Sequence, residues 1–306
     1  MSVNVYSGID LLPTGRASEK ITEGCMVLEG GGWKGLYTLG VLDCLMEQDI
    51  NLRSTVGISA GGLSGVGYLS GQIGWGARVD LTYRHDRNYC GLGAVKRDKG
   101  VTGFSYLYNE IASALPLDKK RFNNPEREFA VGLTNMLTGE IEYFEKGKCN
   151  MSAAVRASAT VPFVSRPVVI KGTPYLDGGC SEKIPFSWAE RRGEKKIVVV
   201  KTREWAFRRK EEPDRLVSMM YHKYPKFVEA FNNANKQFNE MCDRLWDLQE
   251  EKKVFVMAPS KPVEVTRFEG DMDKLGDLYW LGYNDMTARL EELREYLGIS
   301  AKVTQK

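Results

Sequence analysis

Two glycine-rich turns, one helix and one strand apart, constrain this chain more than any bulk property. The first closes "CMVLE" and opens an amphipathic run, in "CMVLEGGGWKGLYTLGVLDCL" from Cys25 to Leu45. The second closes "STVGIS" and opens "AGGLSGVGYLSG", a stretch of small residues suited to close packing. Apolar runs this short fit buried parallel strands. Leu36, Leu39, Val41, Leu42, Leu45 and Met46 recur at helical spacing. Strand, loop, helix, strand, turn and helix make a βαβ start, which implies a parallel sheet with right-handed crossovers. A chain of 306 residues can bury a sizeable core around such a sheet.

The remaining pattern fits the same α/β class. The first two dozen residues read as a loosely packed leader. Residues 78–128 read as charged and irregular, with a helix near Gly103–Ala114. "EFAVGLTNMLTGEIEYFE" reads as two strands around "LTGE", and "MSAAVRASATVP" as a short helix stopped by Pro162. "RPVVIKGTPYLDGG" reads as a hairpin turning at Lys171–Gly172, while "KKIVVVKTRE" and "KVFVMAPS" read as buried strands. Phe227, Phe231, Ala234, Phe238, Met241, Leu245 and Leu248 share one helical face, and Met286, Leu290, Leu293 and Leu297 mark a C-terminal helix. No repeat or domain break interrupts the chain.

Composition narrows the function classes. A net charge of +3 is too small to imply nucleic-acid binding. The N-terminus lacks the apolar core of a secretory signal. The uncharged run from Ser54 to Ala77 is too rich in Gly and Ser to span a membrane. Six scattered cysteines form no C-x-x-C and no zinc spacing. The expectation is a cytoplasmic protein with reduced thiols and no metal site.

Gly57-Ile58-Ser59-Ala60-Gly61 is G-x-S-x-G between a strand and a helix, the setting of a nucleophile elbow. Gly30 to Gly35 matches G-x-G-x-x-G, which also suits a dinucleotide pyrophosphate. That reading needs a ribose-binding acid at the end of the second strand. Asp49 precedes the strand, and Ser59 occupies the position instead. Loops at the carboxyl ends of neighbouring parallel strands, about 4.8 Å apart, lie side by side. The Gly30, Gly31 and Gly32 amides can therefore face Ser59 as an oxyanion hole. Lys34 either adds positive potential there or is a solvated helix-start lysine. His85 and His222 have no supporting pattern. Asp177 in "YLDGGC" is either a strand-end carboxylate or simple Asp-Gly turn chemistry.

Together the motifs resemble the patatin-like phospholipase family, and its bacterial cytoplasmic members most. Its G-G-G-x-[RK]-G loop corresponds to Gly30–Gly35, with Lys34 where many members carry Arg. Its G-x-S-x-G elbow corresponds to Gly57–Gly61, and its D-G-[GA] motif to Asp177-Gly178-Gly179. Its A-S-x-x-x-P segment is similar to "ASATVPFV" at Ala157–Val164. The resemblance spans about residues 22–285, after a leader at 1–21. Residues 286–306 are expected as a helix and tail packed on the same domain. It implies a three-layer α/β/α fold with a mainly parallel central sheet. It also implies a Ser–Asp dyad, with Ser59 as nucleophile and Asp177 as base, and a glycine loop that stabilises the oxyanion. The substrate would be a lipid or simpler acyl ester, with no metal or organic cofactor. The rival readings are a nucleotide-binding protein and a catalytically silent scaffold. The face from Phe227 to Leu248 is a core-packed helix, a lid or a dimer seam; nothing else specifies a homo-oligomer. "KTREWAFRRK" (Lys201–Lys210) is a solvated loop or a peripheral contact to anionic headgroups.

Overall fold

A computed structural model describes residues 4–266 and 268–300. Among the described residues ten strands form two sheets. A short β1 (Gly15–Arg16) pairs with β4 (Gln72–Ile73). The main sheet holds β2 (Thr22–Leu28), β3 (Leu52–Gly57), β5 (Glu128–Asn135), β6 (Ile141–Glu145), β7 (Val168–Ile170), β8 (Thr173–Asp177), β9 (Ile197–Val200) and β10 (Val254–Met257). Its order is β10-β9-β2-β3-β5-β8-β7, with β6 also paired to β5. Strands β10, β9, β2, β3 and β5 run parallel, and β6, β7 and β8 add antiparallel pairs.

Both faces of the parallel part are buried, as continuous apolar runs demand. In β2, Met26 and Leu28 enter one core while Cys25 and Val27 enter the other. In β9, Val198 and Val200 alternate in the same way with Ile197 and Val199. The first core is covered by α1 (Gly35–Glu47) and the helix Met272–Ala288, the second by the helices Phe186–Arg191 and Pro225–Glu250. This is the three-layer α/β/α arrangement expected from the sequence.

Three elements differ from their sequence reading. The leader is packed: Tyr6, Leu12 and Ala17 are buried, and the Arg121 guanidinium donates to the Ala17 and Ser18 carbonyls. The 103–114 helix includes one π-helical turn at Leu107–Ile111. Met286 belongs to the helix Met272–Ala288, and a break at Arg289 separates it from a second helix, Leu290–Leu297. The apolar period continues across the break because both helices cover one core. Residues 301–306 of the expected tail lie outside the described residues.

α1 crosses the helix Met272–Ala288 so closely that a side chain at Gly40 would strike the Tyr279 carbonyl. Beside this crossing Asp43 is buried, accepting from the Gly74 N–H and the Tyr279 hydroxyl, each at 2.8 Å. Burial raises its carboxyl to about 7, against the pull of those two bonds. An unfolded Asp releases its proton near pH 4. The folded state therefore holds the extra proton between about pH 4 and 7, and stability from this group falls as pH rises through that window. Urea denaturation at several pH values should show that slope, and it should be flatter in Asp43→Asn.

Candidate active site

β3 ends at Gly57 and α2 (Ala60–Ser70) begins three residues later, so the connection is very tight. Ser59 sits at φ 55° and ψ −123°, a strained conformation for an L-residue that costs on the order of 1–3 kcal/mol. Only glycines fit around it. A Cβ on Gly57 would lie 2.5 Å from the Gly61 carbonyl, and one on Gly61 would strike the Leu28 carbonyl. Three hydrogen bonds hold the turn: Ser59 N–H to Ser158 Oγ at 3.0 Å, Gly61 N–H to the Ile58 carbonyl at 2.8 Å, and Leu63 N–H to the Ser59 carbonyl at 3.1 Å. Ser59 also stands at the positive end of the α2 dipole, which favours a negative oxygen there.

The sheet register explains which part of the chain meets this turn. Along one edge of β5, residues 128–131 pair parallel with β3 and residues 133–135 pair antiparallel with β8. β6 takes the other edge along residues 130–134. So β3 and β8 share an edge and run towards each other. They stop on either side of Gly132, with Gly57 opposite Val131 and Asp177 opposite Leu133. The carboxyl ends of two strands 120 residues apart in sequence thus converge on one point. The Ile58 side chain marks it: a Cβ at Gly30, Gly132 or Gly178 would lie 3.3, 3.0 or 3.1 Å from it.

The segment "ASAT" ties the two strand ends together. Ser158 Oγ accepts from Ser59 N–H and donates to the Gly132 carbonyl at 2.8 Å. Two residues on, the Thr160 carbonyl accepts from Asp177 N–H at 2.9 Å. Asp177 Oδ1 accepts from Gly179 N–H at 2.8 Å, which orients the carboxylate. Ser59 and Asp177 are 9% and 8% exposed. Motif spacing signals this segment, but it does not reveal that Ser158 touches the Ser59 backbone.

The glycine loop lies against the same turn, with the Ser59 Cβ 3.3 Å from where a Cβ on Gly30 would be. Its three amides are not equivalent. Gly30 N–H is committed to the Lys183 carbonyl at 3.2 Å. Among the described residues no backbone carbonyl accepts from Gly31 or Gly32. Gly32, at φ +56°, faces open space. Thr202 backs the loop: its N–H donates to Glu29 Oε2 at 2.8 Å and its hydroxyl to the Gly30 carbonyl at 3.3 Å. Lys34 is buried at 9% exposure, not solvated.

A cavity of about 510 Å³ opens beside Gly32 and Ser59. Leu39, Leu63, Val79, Leu107 and Val155 make its lining largely apolar. Much of the wall comes from the segment that looked irregular in sequence, because its charges point outwards and its scattered apolar side chains inwards. Asp80 and Lys119 are charged residues of this segment that do line the cavity. The Asp80 carboxylate accepts from the Tyr89 hydroxyl at 2.7 Å, and burial raises it to about 6. His85 and His222 are exposed, bonded to the Gly270 and Met219 carbonyls, and do not line the cavity. Neither does the helix Pro225–Glu250, whose Phe227, Ala234, Phe238, Cys242 and Leu245 are buried in the core. The 201–210 segment is tied to that helix: Lys201 is fully buried with Nζ 2.8 Å from Cys242 Sγ, and Arg208 pairs with Asp243. Among the described residues no group of three or more His, Cys, Asp or Glu converges as a metal site, and no helix is long and apolar enough to cross a membrane.

The family model for patatin-like phospholipase matches residues 26–189, more than half of the chain. The chain belongs to the patatin-like phospholipase family. A second model, a domain of unknown function (DUF6363), matches residues 224–298. The uncharacterized protein YjjU of Escherichia coli K12 is 31% identical over 182 residues, 58% of this chain and 51% of that protein. The uncharacterized NTE family protein Rv1063c of Mycobacterium tuberculosis H37Rv is 24% identical over 170 residues, 53% of this chain and 44% of that protein. The chain thus spans about half the length of the curated relatives it matches. VipD from Legionella pneumophila shares the fold with a TM-score of 0.51 at 16% identity, over 92% of this chain and 70% of VipD. In this patatin-like domain the family match covers both glycine turns, the "ASAT" segment and Asp177.

Because Ser158 satisfies the backbone of a strained residue, its loss should be felt in stability. Ser158→Ala leaves a buried N–H and a buried carbonyl without their partner, which costs about 1–3 kcal/mol. Urea unfolding should show that decrease.

Proposed function

We propose that this protein is a serine hydrolase of lipid acyl esters that works through a Ser59–Asp177 dyad. The observation that carries the reading is the convergence of the β3 and β8 ends on Gly132, with Ser59 at one and Asp177 at the other. Ser59 Oγ attacks the ester carbonyl while Asp177 takes the hydroxyl proton. The carbonyl oxygen becomes negative and is met by the Gly31 and Gly32 N–H groups. Collapse expels the alcohol, which receives the proton from Asp177, and leaves an acyl-enzyme. Water then attacks that ester, giving its proton to Asp177; collapse breaks the acyl–Oγ bond, Ser59 Oγ takes the proton back from Asp177, and the fatty acid leaves. An aspartate is a weak base for a serine hydroxyl. Most of the rate must then come from oxyanion stabilisation by the loop amides and the α2 dipole.

The cavity beside Gly32 supports an acyl substrate over a nucleotide. Its largely apolar wall suits an alkyl chain, whereas a pyrophosphate calls for clustered donors and cations. The placement of the histidines supports a dyad over a triad.

Hydrolysis of p-nitrophenyl esters should fall by about a thousandfold or more in Ser59→Ala and Asp177→Asn. His85→Ala and His222→Ala should stay active. A fluorophosphonate probe should label Ser59; NAD(P) binding without labelling would instead establish the nucleotide reading. Leu63→Trp, which fills the cavity, should depress long-chain ester turnover far more than acetate turnover.

A further inference from the structure

Residues 90–102 leave the cavity wall and return to it. Cys90 and Thr102 pair as an isolated bridge, the Gly91 N–H donates to the Val101 carbonyl, and Cys90, Val101 and Thr102 all line the cavity. Between them, after α3 (Trp75–Tyr83) in chain order, stands α4 (Leu92–Asp98), a short helix held between two cavity-lining segments. Its base is fixed. Asp98 is buried, accepts from the Ser105 N–H and hydroxyl, and pairs with Arg156, while the Lys99 carbonyl accepts from Arg166 N–H.

The exposed side of this helix breaks the usual surface pattern. Leu92 is 78% exposed and Val95 40% exposed. Two cavity-lining side chains share this exposure, Phe268 at 62% and Tyr108 at 40%. Tyr108 and Phe268 thus face solvent at the cavity, and Leu92 and Val95 do so on the helix that follows the cavity-lining Cys90. Such a concentration marks an interaction surface. Phe268 is held in place through its carbonyl, which accepts from the Arg84 guanidinium at 3.0 Å. That guanidinium lies 4.7 Å above the Trp33 ring, next to Gly32.

The exposed charges on residues 87–99 have one sign, whereas Phe268 is followed by Glu269 and Asp271. Arg87, Lys96, Arg97 and Lys99 are exposed, and the only acid between Arg87 and Lys99 is the buried Asp98. Glu110 reaches Arg97 at 3.0 Å. Among the described residues Arg87, Lys96 and Lys99 are in no ion pair with a carboxylate, Lys99 Nζ donating to the Lys96 carbonyl at 2.9 Å, and Lys119 adds an exposed cation on the cavity wall. Exposed Leu92 and Val95 on the same short segment as Arg87, Lys96 and Lys99 match the boundary of an anionic bilayer, where alkyl groups enter the acyl layer and cationic groups meet phosphates.

We propose that α4 and its flanking cations, together with Tyr108 and Phe268, seat the enzyme on an anionic lipid surface. This rests on the lipid-hydrolase reading. It sets the cavity mouth against the membrane, so that an acyl chain passes from bilayer to Ser59 without crossing water. It also places the membrane contact on residues 87–99, whereas the 201–210 segment has its Lys201 buried and its Arg208 paired with Asp243.

The test is sedimentation of the full chain carrying Ser59→Ala, which leaves the lipids intact. One set of vesicles is phosphatidylcholine and the other an equal mixture of phosphatidylcholine and phosphatidylglycerol. Binding to the mixed vesicles should be at least about tenfold tighter and should weaken with added salt. Lys96→Gln with Lys99→Gln should weaken it by about 25-fold, and Leu92→Ser by several-fold. In otherwise wild-type protein these variants should hydrolyse a short soluble ester at the normal rate, which separates lost docking from lost folding. If the double variant loses that rate, Leu92→Ser alone carries the test. Equal binding to both vesicle types, or binding unchanged in the variants, overturns the proposal. Normal binding by a wild-type protein that hydrolyses no ester overturns the lipid-hydrolase reading instead.

Discussion

Everything at this site depends on one edge of β5. A strand edge offers one row of backbone groups, and here that row is divided between two partners. β3 takes the first part in parallel and β8 the last part in antiparallel fashion. Two strands that approach along a shared edge must both stop, and the chain must leave the sheet at each stop. Gly132 is the gap between them. One exit becomes the strained serine turn and the other the Asp-Gly-Gly turn. The juxtaposition is therefore a property of hydrogen-bond register, set by the most rigid part of the molecule.

Elements that follow local periodicity were legible without coordinates. The apolar strands, the βαβ start and the long amphipathic helix all declare themselves through spacing. The hairpin turn at Lys171–Gly172 does so too, and both of its residues take positive φ, as a type I′ turn requires. Ser59 could be picked out because its turn needs glycines at fixed offsets. Asp177 could not be separated from an ordinary turn by spacing, since its partner strand lies far along the chain and only register brings them together. The family resemblance supplied that link. The unequal loop amides were beyond reach for the same reason: nothing local shows that the Lys183 carbonyl occupies the Gly30 N–H.

The cavity was hidden for a different reason. Much of its wall is assembled from short helices and turns between residues 75 and 123, where apolar residues serve two surfaces and keep no single period. A sequence reading sees charges and irregularity there. Lys201 is the opposite case, a residue of a strongly basic run that lies buried against Cys242. Charge counted along a chain says little about charge displayed on its surface.

The bond between Gly30 N–H and the Lys183 carbonyl has a mechanical consequence. The chain from Asp177 to Lys183 is one tight turn, with a 3-10 segment at Gly178–Cys180. It begins at the proposed base and ends on the glycine loop, so the two cannot drift independently. A displacement of this turn would shift the proposed proton acceptor and the glycine loop in one movement. The two would therefore be lost or kept as a unit.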